Sequence, residues 1–454
     1  MKRLIVSSLL TLFFYNYSQS QCFTIGADMS YTNSVLAKGG IYRDSSGNIA
    51  EPYALFAQKG ANIVRIRLWH TPENNIDKCG NPISTNNLED VVLAFKRAKT
   101  NGMKLNLSIH YGDYFNDPGN QKMPKAWMGL PHKILIDSIY NYTYSVLKRL
   151  KKEDVIPDIV ALGNETTFGF INETAPANGW VWPNDADKFN IAFKSVDNFN
   201  KANNTAIKKA VHFTDSTADW LSGLFYAKNI RNFDIIGISF YPYFSNFTSL
   251  QQLGSLITQL KTTYNKELMI FETGAPWTNT AYADGYGNFM GSNGDFSYPI
   301  SPQGQKSFLF DLAQTVYNAG GTGILYWEPA WISSTMCDFW GQGSSYENVS
   351  FFDFQNGNRP LPAFDIFNFC NSLSIENNSV NDKILIFPNP ANSEIKIIGL
   401  QHDVTVTITD VLGRTIKTTF SKNSSIEISN LPDGTYTISL FLNDKLTVKK
   451  FIKK

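Results

Sequence analysis

Two glutamates stand where a lone charge is costly. Ala161-Leu162-Gly163-Asn164-Glu165 and Leu268-Met269-Ile270-Phe271-Glu272 each end an apolar run in a carboxylate. Such a group needs a partner or a task. Cleavage of a glycosidic bond uses two carboxyls: one protonates the leaving oxygen, the other attacks the sugar or activates water. A pair of structural ion pairs, with Arg65 or Arg67 as the cations, is the plainer alternative. The sequence offers no Ser-His-Asp elbow and no metal-ligand motif to compete.

Other polar residues recur at the ends of similar runs. Arg65, Arg67, Trp69 and His70 close one, and His110, Tyr111 and Asp113 the next. Asn164-Glu165, His212, Tyr241-Pro242-Tyr243, Glu272-Thr273-Gly274 and Trp327-Glu328-Pro329 close the others. The runs themselves are Phe23–Met29, Ile63–Leu68, Lys104–Ile109, Ile159–Gly163, Ala210–Thr214, Ile235–Phe240, Glu267–Phe271 and Gly323–Trp327. Between them, stretches such as Leu88–Thr100 and Lys133–Leu150 carry apolar residues at three- and four-residue spacing, the period of a helix packed on one face. Eight such units predict an α/β chain with a (β/α)8 TIM barrel, whose strand ends converge on one mouth. An open doubly wound sheet is the alternative, but no Gly-rich phosphate loop follows an early strand.

The remainder of the 454-residue chain sets the context. A net charge of +1 gives no field that would favour nucleic acid or an anionic membrane. Aromatic residues make up 14%, enough to line a groove with flat rings, although most rings in any fold are core. Lys2 and Arg3 precede the apolar run Leu4–Phe14 and a small-residue exit at Ser18–Ser20, the layout of a secretory signal peptide over residues 1–20. A lipid anchor at Cys22 is disfavoured by the bulk of Gln21. The four cysteines, Cys22, Cys79, Cys337 and Cys370, lack metal-ligand spacing, and in an exported protein they point to disulfides of unassigned connectivity. No later stretch is long and apolar enough to span a membrane.

Composition changes after the barrel region, residues 21–370. Residues 371–383 read as a linker. Residues 384–454 then carry seven short alternating segments separated by turns such as Pro388-Asn389-Pro390 and Pro432-Asp433-Gly434, which predicts a small all-β sandwich.

The motifs of the first region resemble family 53 of the glycoside hydrolases, the endo-β-1,4-galactanases. The likeness runs in order through Gly26-Ala27-Asp28-Met29-Ser30, Arg65-Ile66-Arg67-Leu68-Trp69, His110-Tyr111-Gly112-Asp113, Pro124-Lys125-Ala126-Trp127 and Gly163-Asn164-Glu165. It continues through Ser239-Phe240-Tyr241-Pro242, Glu272-Thr273-Gly274-Ala275-Pro276-Trp277-Thr278 and Trp327-Glu328-Pro329-Ala330-Trp331. The resemblance implies hydrolysis of β-1,4-galactan by a retaining double displacement, with Glu165 as acid/base and Glu272 as nucleophile. It also implies that Asn164 holds the sugar 2-hydroxyl, that Tyr241 or His212 orients the nucleophile, and that Arg67 keeps Glu272 ionised. His110 joins these as a supporting residue; Asp113, Trp127, Trp277, Trp327 and Trp331 are the substrate-binding candidates.

Gly112, Phe115 and Ala275 depart from the family's usual Ser, Trp and Tyr. The family's Leu-Trp-Pro after the acid/base is missing from Thr166–Asn172, with Trp180-Val181-Trp182-Pro183 as a displaced counterpart. No cofactor is required; calcium, known in some members after strand seven, has only Asp284 and Asn288 as ligands here. The tail resembles the sorting domain of the type IX secretion system through Phe387-Pro388-Asn389-Pro390, Asp410-Val411-Leu412-Gly413-Arg414 and Leu431-Pro432-Asp433-Gly434-Thr435-Tyr436. A carbohydrate-binding module is the alternative there, but the segment has no Trp. The implied partners are a polysaccharide and the secretion machinery, and the implied route is export through the periplasm to the cell surface or medium. A mannanase or xylanase of the same clan, and a catalytically silent glycan-binding barrel, remain as rivals.

Overall fold

The computed structural model describes residues 23–173, 179–280, 291, 294, 296–370, 385–398, 404–410, 414–421, 425–442 and 445–454. The signal-peptide region 1–20, the linker 371–383 and the calcium candidates Asp284 and Asn288 lie outside them. The chain divides into two compact units, Met1–Asn368 and Phe369–Lys454.

In the first unit eight parallel strands close into a barrel in sequence order. They are β1 (Thr24–Asp28), β2 (Ile63–Leu68), β3 (Lys104–Ile109), β4 (Ile159–Leu162), β5 (Lys208–Thr214), β6 (Ile235–Ser239), β7 (Glu267–Glu272) and β8 (Gly323–Tyr326). Strands sandwiched between helices and barrel interior read as nearly continuous apolar runs, because both faces are covered. β2 (IVRIRL) is buried at every position. The helix Leu88–Thr100 starts on the Asn87 side chain, which accepts from the Asp90 amide, and ends in the basic turn Arg97-Lys99. The helix His132–Lys152 buries Leu135, Ile139, Val146, Leu147 and Leu150 on the barrel side.

One layer of the interior is apolar: Ile63, Ile159, Ala161, Ala210, Ile235, Met269, Phe271 and Leu325 pack together. Above it the interior turns polar, since Arg65 and Arg67 share the inward face with Ile63 at the two-residue period of a strand. Strict alternation would put Glu272 on the opposite face from Met269 and Phe271. A register shift between β6 and β7 prevents this, pairing Ile238 with Ile270 but Ser239 with Glu272. The extra residue turns Glu272 toward the interior, as bulges near active sites do. Phe271 also points inward, and Gly237 makes the room: a Cβ there would lie 2.2 Å from the Phe271 ring.

A disulfide between Cys79 and Cys337 ties the loop after β2 to the loop after β8. The second unit has a three-stranded sheet and a four-stranded sheet, both antiparallel. Ile395, Ile397 and Ile426 of the first pack with Val406, Ile408, Ile438 and Leu440 of the second, which makes the small sandwich expected from the alternating pattern.

Candidate active site

The two glutamates line one cavity of about 500 Å³, together with Phe115, Ser239, Tyr241, Trp327, Trp340 and Tyr346 among others. Glu165 reaches it through an unusual backbone. Its φ of +43° lies in the left-handed region, two residues after Gly163 at +93°. A non-glycine residue there costs on the order of 1–3 kcal/mol and is held only by its surroundings. The hold is visible: the Thr166 amide donates to the His212 carbonyl at 3.0 Å, and the Gln121 side chain donates to the Asn164 and Glu165 carbonyls at 2.8 and 3.2 Å. Glu328, after β8, has the same kind of backbone at +46°.

The carboxyls have different surroundings. Glu272 forms an ion pair with the Arg65 guanidinium at 2.7 Å and accepts from the Tyr241 hydroxyl at 2.9 Å. Burial pushes its pKa up, and the charge of Arg65 is the largest opposing influence. Burial also holds the Tyr241 phenol well above its ordinary value, so it stays a donor. Among the described residues, no cation contacts Glu165. Burial, then the negative charge of Glu272, raises it to about 8. Two neighbouring buried carboxyls do not both ionise easily, so the shared proton belongs on Glu165. Two carboxyls of the same type thus differ by environment alone.

Behind Glu272 lies a layer of buried charge. Arg65 also meets Asp28 at 2.6 Å, Asn164 Oδ1 at 2.6 Å and Ser108 at 3.1 Å. Arg67 pairs with Glu328 and lies 3.4 Å from Asp28. Its guanidinium also sits over the rings of Tyr31, Phe115 and Trp327. Burial holds Glu328 well above the usual carboxyl range, with Arg67 opposing. Two guanidiniums thus face three buried carboxyls, Asp28, Glu272 and Glu328, and neither reaches Glu165.

The structure reassigns several of the residues expected in the site. Arg67 does not contact Glu272; Arg65 does, because it stands one pleat deeper and faces β7 across the barrel. Trp331 is fully buried against Tyr31, Trp327 and Trp340 and shows no face to the cavity. Trp277 packs on Phe354 and Leu361, and Trp127 on His70 and Tyr142; each is nearly covered. Asp113 organises loops instead of lining the cavity: it accepts from the Thr71 and Lys125 amides and from Asn74. Of those five substrate candidates, only Trp327 lines the cavity. Trp180 stacks on Trp182 and packs on Phe189 and Phe225, away from it.

His110 and His212 are buried, and burial holds both well below the usual imidazole range. His110 Nδ1 accepts from the Asn116 amide at 3.0 Å, and the Asn116 carbonyl in turn accepts from Asn164 Nδ2 at 2.8 Å. Gly112 is required by this loop, because a Cβ there would lie 2.8 Å from the Lys122 carbonyl. Arg65, Asp28, Ser239 and Glu328 were not singled out as site residues. Their signal was the Arg-x-Arg alternation and the acidic or hydroxyl group at each strand end.

Residues 24–367 match the model of Glycosyl hydrolase family 53. The chain belongs to that family. Residues 385–454 match the Secretion system C-terminal sorting domain. An arabinogalactan endo-β-1,4-galactanase of Cellvibrio japonicus is 38% identical over 350 residues, 76% of this chain and 90% of its own. An endo-β-1,4-galactanase of Bacillus subtilis is 32% identical, covering 77% and 86%. Among solved structures, the family 53 catalytic domain of Ignisphaera aggregans aligns with a TM-score of 0.69 and 30% identity, over 78% of this chain and 98% of that one. The chain is therefore a glycoside hydrolase built on a TIM barrel.

Proposed function

We propose that this hydrolase is an endo-β-1,4-galactanase that retains anomeric configuration. The observation that carries the mechanism is the contrast just described: one cavity, one carboxyl raised to about 8, the other paired with Arg65 and Tyr241. Glu272 attacks the anomeric carbon while Glu165 gives its proton to the departing oxygen. In the second half-reaction Glu165, now a carboxylate, takes a proton from water, which displaces Glu272 with a second inversion. Asn164, fully buried next to Glu165 in the chain, keeps a second hydrogen on Nδ2 beyond the one given to Asn116, and Trp327, though largely buried, borders the cavity that a sugar would enter. The chemistry calls on no metal.

The choice of galactan rests on the named relatives. The protein without residues 1–20, incubated with β-1,4-galactan, mannan and xylan, should release oligosaccharides from galactan alone. Proton NMR before mutarotation should show the β anomer first. Release from mannan or xylan instead would move the chain to another specificity. No release from any would support a silent binding barrel, and an α-anomer first product would exclude double displacement.

The sorting-domain match supports export by the type IX route, through the periplasm to the cell surface or medium. Deleting residues 385–454 should leave the enzyme inside the producing cell; normal appearance outside would refute that route.

A further inference from the structure

The cavity extends past Glu165 and Glu272 in two directions. One end is walled by Trp327 and Tyr346 after β8, the other by Thr167 and Phe168 after β4, Thr214 at the end of β5 and Phe244 after β6. In a barrel closed in sequence order, β4 to β6 stand across from β8. The rings also differ in cover. Phe115 and Trp327 are 8% and 5% exposed, whereas Phe168 and Phe244 are 50% and 64% exposed and still line the cavity. A single exposed ring is ordinary on a protein surface. Two that border one cavity, beside the hydroxyls of Thr214 and Thr217, make a surface that a ligand would cover. Both ring-bearing segments are anchored. The Phe244 and Ser245 amides donate to the Tyr241 carbonyl at 3.0 and 2.9 Å, and the Ser245 hydroxyl donates to the buried carboxyl of Asp215. Beyond Phe168, the buried Lys188 ammonium donates to the Phe170 and Ile171 carbonyls at 2.8 and 2.9 Å.

We propose that the end of the cavity walled by Phe168 and Phe244 holds the leaving-group sugar, and that these two rings determine its recognition. The departing oxygen takes its proton from Glu165, so the sugar bonded to that oxygen lies against the wall that carries Glu165. Thr167 and Phe168 continue that wall along the chain. The hydrogens on C3, C4 and C5 of a β-galactosyl unit share one face, an apolar patch of the kind a Phe ring covers. By microscopic reversibility the same place receives a sugar acceptor in the second half-reaction. There an acceptor hydroxyl oxygen bonds to the anomeric carbon, the bond from that carbon to Glu272 breaks, and the Glu165 carboxylate takes the hydroxyl proton. Water reacts in the same way but needs no ring to hold it. Capture of the glycosyl-enzyme by sugar, relative to water, therefore depends on Phe168 and Phe244.

This inference rests on the retaining galactanase reading, and the assay separates the two. The donor is the nitrophenyl β-glycoside of galactobiose, with galactobiose added as acceptor. Nitrophenol release reports formation of the glycosyl-enzyme. The ratio of galactotetraose formed to glycosyl-enzyme hydrolysed reports sugar against water. Both products arise from one intermediate, so poorer folding or a slower first step leaves the ratio where it was. Phe168→Ala and Phe244→Ala should each lower it by about three- to tenfold, in line with loss of one ring face. Phe168→Tyr, which keeps the ring, should hold it. A ratio that stays at the wild-type value in either alanine variant overturns the proposal, as does a wild-type enzyme that forms no galactotetraose. Absence of nitrophenol release from the wild-type protein would instead fault the functional reading. A second readout needs no turnover: in Glu272→Ala, bound galactotetraose should show nuclear Overhauser contacts from its C–H protons to the Phe168 and Phe244 rings. Bound oligosaccharide without those contacts overturns the proposal, and absence of any binding overturns both readings.

Discussion

Replacing Arg65 with Met tests whether the ionised nucleophile depends on the cation that the structure puts beside it. Met fills a similar volume without charge. Arg65 contacts Asp28 and Glu272, both buried. Asp28 retains Ser30 and the more distant Arg67 in the variant, whereas Glu272 retains only Tyr241 in direct contact. Charge centres about 4 Å apart at an effective dielectric of about 20 attract by about 4 kcal/mol. That corresponds to about three pKa units. Loss of Arg65 should therefore raise the acid limb of kcat/KM, which reports Glu272, by about two to three units. The limb then moves toward the ionisation of Glu165, which lies at about 8. As the two ionisations come to overlap, about a third of the molecules at most would hold Glu272 ionised and Glu165 protonated, so peak kcat/KM should fall about threefold. Stability should fall by about 3–5 kcal/mol, the usual cost of orphaning one member of a buried pair. The deficit should narrow as pH drops, since the orphaned carboxylate then takes a proton. Arg67→Met is the control, because its contact is with Glu328. It should destabilise the fold while moving the acid limb less. A limb that stays within half a unit in Arg65→Met, or moves further in Arg67→Met, would refute the assignment.

Three further outcomes follow from the same geometry. The wild-type basic limb should lie near pH 8, where Glu165 loses its proton, with kcat/KM falling tenfold per unit above it; a limb near the ordinary carboxyl range would show that burial does not control this group. Glu272→Ala should abolish turnover yet still bind galactan, and azide or formate should restore cleavage of an activated glycoside with inverted products; near-wild-type hydrolysis would remove Glu272 from the mechanism. Trp327→Ala should raise KM for galactan by roughly tenfold, in line with loss of one stacking face, whereas Trp331→Ala should act on stability, by about 3–5 kcal/mol for a buried Trp. A KM effect confined to Trp331→Ala, read from kinetics and thermal unfolding together, would reverse the two roles.

The eight-strand barrel, its helices and both glutamates were legible in the sequence because they rest on local regularities. Apolar runs at even spacing make strands, and a carboxylate at the end of such a run has no bland place to go. The tail sandwich was legible for the same reason: Val404, Val406 and Ile408 alternate, and that alternation is its core. The aromatic roles were not legible. A Trp ring serves equally as core or platform; Trp327 and Trp331 are both buried, and only position separates Trp327, which borders the cavity, from Trp331, which does not.

Which arginine serves the nucleophile was equally beyond the sequence. Arg65 and Arg67 share one face, so alternation brings both inward, and depth in the barrel decides between them. The orientation of Glu272 depends on a register shift against Ser239 that breaks the two-residue period. The Asn164–His212–Ser239 contacts depend on three strand ends meeting over distances that no local pattern encodes. Sequence determined which residue types each strand end would carry, because periodicity is a property of neighbours along the chain. Closure of the barrel decided which of them share a proton, because that depends on contacts between residues far apart in sequence and on exclusion of water.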